Sequence, residues 1–211
     1  MTYLRDAAAL ARKDLLLELR GRETVPAMVL FVLAVFVAFR FALPADQEEA
    51  AGGLLWVAIV LTALLGLVRA FVPEQEQRTL DALVLAPCDR SAIWLGKVLS
   101  LLAFLLVAEA AAVPLFGVFF ERPSAATVGA ILLADVGLAA IGTLMAAMAV
   151  GARGREVLLP LLFLPLAIPV VIGGVGATVS GDPARYLGFL ALYDAIFAIL
   201  AWATFEYVVT E

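Results

Sequence analysis

The chain has 211 residues, of which 64% are hydrophobic and 16% charged, with a formal net charge of −5 and a mean hydropathy of +1.07. A soluble domain of this length does not carry so much apolar sequence, and long apolar runs of this kind read as membrane spans. Histidine is absent and Cys88 is the single cysteine, which removes the usual general base, the usual axial haem ligand, any intrachain disulfide and any thiolate metal cluster within one copy.

The first two dozen residues carry charges throughout and hold no short apolar core with a cleavage site, so no cleavable signal peptide is expected. Residues 2–22 predict an amphipathic helix. Leu4, Ala8, Ala11, Leu15 and Leu19 step along one face, and Arg5, Arg12, Lys13 and Arg20 fall on another. Such a helix suits the boundary between acyl chains and anionic headgroups; the alternative is a solvated helix packed on a partner. Gly21 ends it, Thr24 begins the descent, and residues 1–23 form a unit distinct from the spans that follow over 24–211.

Six spans are predicted: about Thr24 to Leu43, Ala50 to Val68, Ile93 to Phe120, Ala126 to Val150, Val157 to Thr178 and Tyr186 to Val209. Each reaches the roughly 20 residues a hydrocarbon core demands. With the N-terminus inside, the inner segments hold Arg5, Arg12, Lys13, Arg20, Arg22, Arg69, Arg78, Arg90, Lys97, Arg153 and Arg155, and the outer turns only Arg40, Arg122 and Arg185. The excess of inner basic residues predicts both termini on the cytoplasmic side.

Between the second and third spans lies the longest polar stretch. Pro73 suits a first helical position, and Glu74 and Glu76 fall in the first turn, where the helix dipole favours negative charge. Leu80, Leu83 and Val84 recur at helical spacing, and Pro87 stops the run. Asp89 or Ser91 can cap a new helix. A short amphipathic helix over about 73–86, a stop and a capped restart make a surface another protein could grip.

The fifth span carries Pro160, Pro165 and Pro169, then Gly173, Gly174 and Gly176. Each interior proline removes a backbone hydrogen bond, so this span is either a moving or re-entrant hinge element or a kinked packing helix. Ala139, Thr143, Ala147 and Gly151 give the fourth span a small-residue stripe for close packing. Glu109, Asp135 and Asp194 fall within spans three, four and six, Asp135 and Asp194 roughly 12–14 Å from the outer end and Glu109 about 16 Å, at ~1.5 Å per residue. Buried charge at that depth costs at least ~2.5–3.5 kcal/mol, so the three acids either line a polar seam or are neutral or hydrogen-bonded, to groups such as Tyr193 and Thr143.

No phosphate-binding loop is present: the one Gly-Lys, Gly96-Lys97, is followed by Val98. An intramembrane serine protease would need a histidine base. The chain therefore reads as non-catalytic, with no nucleic-acid partner, because no basic stripe accompanies its charge.

Three blocks carry a family resemblance: Lys13 to Thr24, Leu83 to Lys97 with its Leu-Ala-Pro-x-Asp-Arg-Ser-Ala-Ile core, and Arg155 to Pro165. With the six-span layout they resemble the haem exporter protein B family, CcmB, of cytochrome c maturation; Cys88 stands where an aliphatic residue is expected. The resemblance implies an all-α permease of type-2 ABC exporter architecture in the bacterial inner membrane, with a surface elbow helix and a cytoplasmic coupling helix. It also implies a homodimer working with two CcmA-like ATPase subunits, a CcmC-like haem-handling membrane protein and a CcmE-like haem chaperone. No cofactor is expected on this chain alone; ATP belongs to the ATPase and haem to the wider complex. ATP hydrolysis would drive release of the haem-loaded chaperone on the outer face. In the docked state Leu80, Leu83 and Val84 would enter a groove on the ATPase, with Glu74, Glu76, Arg78 and Asp81 at its rim and Pro87, Asp89 and Arg90 completing the joint. The competing readings are a secondary transporter with the three acids as proton or ion sites, and an inert membrane scaffold.

Overall fold

A computed structural model describes residues 2–43, 48–72, 89–150 and 154–210. These form seven helices: α1 (Thr2–Gly21), α2 (Thr24–Ala42), α3 (Glu48–Arg69), α4 (Arg90–Phe119), α5 (Ala125–Val150), α6 (Arg155–Val179) and α7 (Pro183–Thr210). No strand occurs among the described residues. All helices except α1 are long and apolar enough to cross a membrane. The predicted helix over 73–86, Pro87 and Gly151 lie outside the described residues.

Successive spans run antiparallel. Met28 of α2 meets Gly66 of α3, and the level of Leu67 on α3 is that of Phe163 on α6, while Trp56 lies against Gly174. The start of α4 meets α1 at one end, where Ser91 Oγ lies 3.3 Å from Tyr3 Oη, and also meets the close of α7, where Arg90 Nη1 lies 3.1 Å from Glu206 Oε1. This near end therefore gathers α1, the α3 exit, the α4 entry and the α7 terminus. At the far end Phe36, Phe116 and Phe120 pack edge to face and tilted, with centroids 5.0–6.3 Å apart.

The enclosed centre is α5, which touches α3, α4, α6 and α7. Its fit depends on glycines: a Cβ on Gly142 would strike Leu67, and one on Gly137 would strike Asp194 and Tyr193. Small residues let membrane helices approach until their backbones nearly touch. Within the stripe predicted on this helix, Ala139 and Thr143 are buried and Ala147 is half-buried. The closest approaches nevertheless fall on Gly137 and Gly142. Trp94 of α4 secures the same helix by donating its indole N–H to the Ala140 carbonyl at 3.1 Å.

Three local features depart from, add to or narrow the expectations. The α1 face turned to the protein holds Ala7, Leu10, Ala11 and Asp14, whereas Leu4 and Leu19 are 69% and 68% exposed. At ~100° per residue the buried face is rotated by about a quarter of a turn from the predicted leucine stripe. The cause is Gly96 on α4, whose missing Cβ admits Leu10 Cβ, the Ala7 carbonyl and the Ala11 amide. Second, α2 is capped by Glu18 of the preceding helix, which accepts from Thr24 N at 2.9 Å and Val25 N at 2.8 Å, with Arg22 in the left-handed region (φ 53°) making the bend. Third, α6 is one continuous helix through Pro160, Pro165 and Pro169, so it is not re-entrant.

Trp56 sets the α3–α6 spacing. Its side chain is fully buried, its ring lies on Gly174, and its N–H donates to Thr178 Oγ1 at 2.9 Å. Gly174→Ala is expected to destabilise the fold by ~1–3 kcal/mol, because the indole has no free space to enter. Gly129→Ala, where nothing lies within 4 Å, is expected to be neutral or slightly stabilising. Thermal unfolding of the two variants in the same detergent checks the pair.

Candidate functional site

Two buried polar groupings stand out among the described residues. The first is at the near end, where α1, α3 and α4 meet. The Lys97 side chain is 4% exposed and that of Asp14 9%, and Lys97 Nζ lies 3.0 Å from Asp14 Oδ2. The same ammonium donates to the Ala70 carbonyl at 2.7 Å and sits 5.0 Å from the centre of the Phe71 ring. Lys13 Nζ lies 3.1 Å from Asp14 Oδ1, and Ser100 Oγ donates to Asp14 Oδ2 at 3.3 Å.

Each contact has a local reason. Ala70 follows the last residue of α3, where helix carbonyls lack intrahelical donors, and a lysine ammonium is a suitable replacement. Lys97 is one residue past Gly96, so the close approach of α1 that Gly96 permits carries Asp14 onto the ammonium. Breaking one side of a buried ion pair costs about 3–5 kcal/mol, whereas replacing both sides by apolar groups can be nearly neutral. The pair therefore specifies how three helices meet more than it stabilises their meeting.

The sequence placed Lys97 among the inner basic residues and in a Gly-Lys pair that fails as a phosphate loop, and gave Asp14 no role of its own. The available signal was Asp14 itself, an acid in register with Ala7, Leu10 and Ala11, together with a glycine immediately before the one lysine of the third span.

Of the residues assigned to ATPase coupling, Glu74, Glu76, Arg78, Leu80, Asp81, Leu83, Val84 and Pro87 lie outside the described residues. Asp89 is the N-cap of α4: its Oδ1 accepts from Ser91 N at 2.9 Å and from Ser91 Oγ at 2.7 Å. Arg90 pairs with Glu206 across to α7, an exposed contact of small energetic weight.

The second grouping lies in the spans. Glu109 on α4, Asp135 on α5 and Asp194 on α7 are 6%, 1% and 6% exposed, and Asp135 is an electrostatic neighbour of both others. Among the described residues, no oxygen of the three carboxyl groups meets a donor at hydrogen-bonding geometry. Tyr193 and Thr143 do not supply one: Tyr193 Oη donates to the Leu166 carbonyl at 2.7 Å, and Thr143 Oγ1 finds no partner among the described residues. Asp194 is seated over Gly137, where a Cβ would collide with its Oδ1. Two facing carboxyl groups can bond each other only by sharing a proton. The described residues offer no group of three side chains converging on a metal position. Of the prolines, Pro160 and Pro169 are half-buried and Pro165 is exposed, and the Tyr193 hydroxyl reaches the carbonyl just after Pro165.

Comparison with known proteins agrees with this layout along nearly its whole length. The CcmB protein family matches residues 5–208. Heme exporter protein B of Paracoccus denitrificans is 33% identical over 207 residues, 93% of this chain and 94% of the relative. That of Rhodobacter capsulatus is 33% identical over 172 residues, 79% of each chain, and that of Pseudomonas aeruginosa 34% identical over 174 residues, 80% of this chain and 78% of the relative. With the six apolar helices and full-length similarity together, the chain belongs to the CcmB family.

Proposed function

We propose that this chain is the multi-pass permease subunit of an ABC-type haem export system for cytochrome c maturation in the bacterial inner membrane. Two copies work with two CcmA-like ATPase subunits, beside a CcmC-like haem-handling protein and a CcmE-like chaperone. Energy enters from the ATPase at the polar segment 73–86, which acts as the coupling helix, and α1 is the elbow helix at the inner membrane surface. The output is release of the haem-loaded chaperone on the outer face.

The observation that carries this reading is the contact of Lys97 with the Ala70 carbonyl, next to Phe71 and just before Pro73. A push on the segment that starts at Pro73 reaches Ala70, then Lys97, and from there both Asp14 on α1 and the body of α4. Such a contact transmits because its members are buried and cannot slide past one another without leaving a charge unpaired. The exposed leucines of α1 and its basic residues suit an interfacial position. Trp202 and Tyr207, exposed near the same end on α7, suit the aromatic belt of a membrane interface. The family relationship and the names of the relatives support haem export as the process.

The three buried acids favour a second reading, a secondary transporter whose carboxyl groups carry protons or ions. The two readings separate on the energy source.

Purified with its ATPase, the chain is expected to raise ATP turnover. Leu83→Asp, or charge reversal at Asp81, is expected to abolish copurification while the chain still inserts; retained copurification would remove the docking assignment. Lys97→Met is expected to leave docking intact, destabilise the chain by about 3–5 kcal/mol and uncouple ATP turnover from chaperone release. The double variant Asp14→Leu/Lys97→Met should recover much of the stability without recovering the coupling, which thermal unfolding and a release assay read separately. Neutralising Glu109, Asp135 and Asp194 in turn is expected to abolish transport while assembly persists. An uncoupler that stops the process with ATP still abundant would favour the secondary transporter.

A further inference from the structure

The near end contains a cavity of about 460 Å³ between α1, the start of α2, the end of α3 and α4, within the usual range of roughly 300–1,000 Å³ for small-molecule sites. Its wall is divided. Leu17, Leu101 and Phe104 supply apolar surface, while Asp14, Glu18, Glu23 and Arg69 supply charge. It lies level with Thr24, the first residue of one span, and Arg69, the last of the next. That is the depth at which a chain moves from hydrocarbon to headgroup.

The charges decide what could enter. Asp14 is already neutralised by Lys97 and Lys13. Both Glu18 oxygens are occupied by the first amides of α2, where the helix dipole also offsets their charge. What remains is Glu23 with Arg69, a single contact of 3.3 Å between side chains 76% and 39% exposed. Exposed pairs of this kind are loosely held. A purely anionic ligand would meet Glu23, and a purely cationic one would meet Arg69. A ligand carrying both signs on adjacent atoms can take the place of each partner for the other.

We infer that this cavity is a binding site for a zwitterionic phospholipid with a primary ammonium, its phosphate on Arg69, its ammonium on Glu23 and its upper acyl segment along Leu17, Leu101 and Phe104. Phosphate favours the planar guanidinium fork, and a primary ammonium has three protons for carboxylate acceptors. Occupancy braces α1 against α2 and α3 at the membrane surface, beside the Lys97 contact and without altering it.

The test uses the full chain, purified in mild detergent, stripped of lipid and presented with phosphatidylethanolamine, phosphatidylcholine or phosphatidylglycerol, with retained lipid read by native mass spectrometry. Phosphatidylethanolamine is expected to be retained preferentially. Arg69→Gln is expected to weaken retention about tenfold, as for loss of one charge-assisted hydrogen bond. Gly21→Phe should do the same by filling the cavity: Gly21 lines it, its Cβ position meets only Glu23 Cγ at 3.9 Å, and every wall charge is kept. Preference for phosphatidylglycerol, equal retention of all three lipids, or unchanged retention in Gly21→Phe would overturn the assignment. Water-soluble phosphoethanolamine is expected not to compete at equal concentration; competition by it would assign the site to a soluble ligand and overturn the lipid.

Discussion

The near end of the molecule hangs on one ammonium group. Lys97 is enclosed within a span, where an unpaired charge is costly, and two of the acceptors it finds come from different parts of the chain. Asp14 fixes α1 and the Ala70 carbonyl fixes the end of α3. The other near-end contacts accommodate this one: the bare Gly96 surface that lets α1 approach, the Glu18 cap that turns the chain into α2, and the Asp89 cap that starts α4.

How much of this was legible in the sequence depends on the length scale of the cause. The six spans follow from runs of apolar residues and needed only counting. The Asp89 cap was one of two candidates, and its role follows from a side chain that reaches a local amide. The face of α1 was misjudged because periodicity ranks residues by hydrophobicity, while the contact is decided by how closely two backbones can approach. The face with Ala7, Leu10 and Ala11 wins over Leu4 and Leu19 because its backbone and Leu10 Cβ settle onto the bare Gly96 surface. The Lys97–Asp14 pair joins residues far apart in the chain, so no local pattern announces it.

The three acids show the same division. Their depth could be estimated from helix rise, and the structure brings them together around Asp135. Their lack of donors could not be foreseen. Tyr193 was an obvious candidate, but its ring turns to Phe197 and its hydroxyl to the backbone of α6. The Tyr193 hydroxyl thus ties α7 to the proline-rich helix rather than to the acids.

The two clamps on α1 are one helical turn apart. Asp14 grips α4 and Glu18 grips the first amides of α2, four residues on and almost directly above it on the same face. Adding or removing a single residue between them would swing one carboxylate about 100° away from its target. The spacing is therefore as strictly determined as any side chain in the region. Sequence change here can proceed by substitution but not by insertion or deletion, so the three residues between the clamps have a fixed number even where their identities are free.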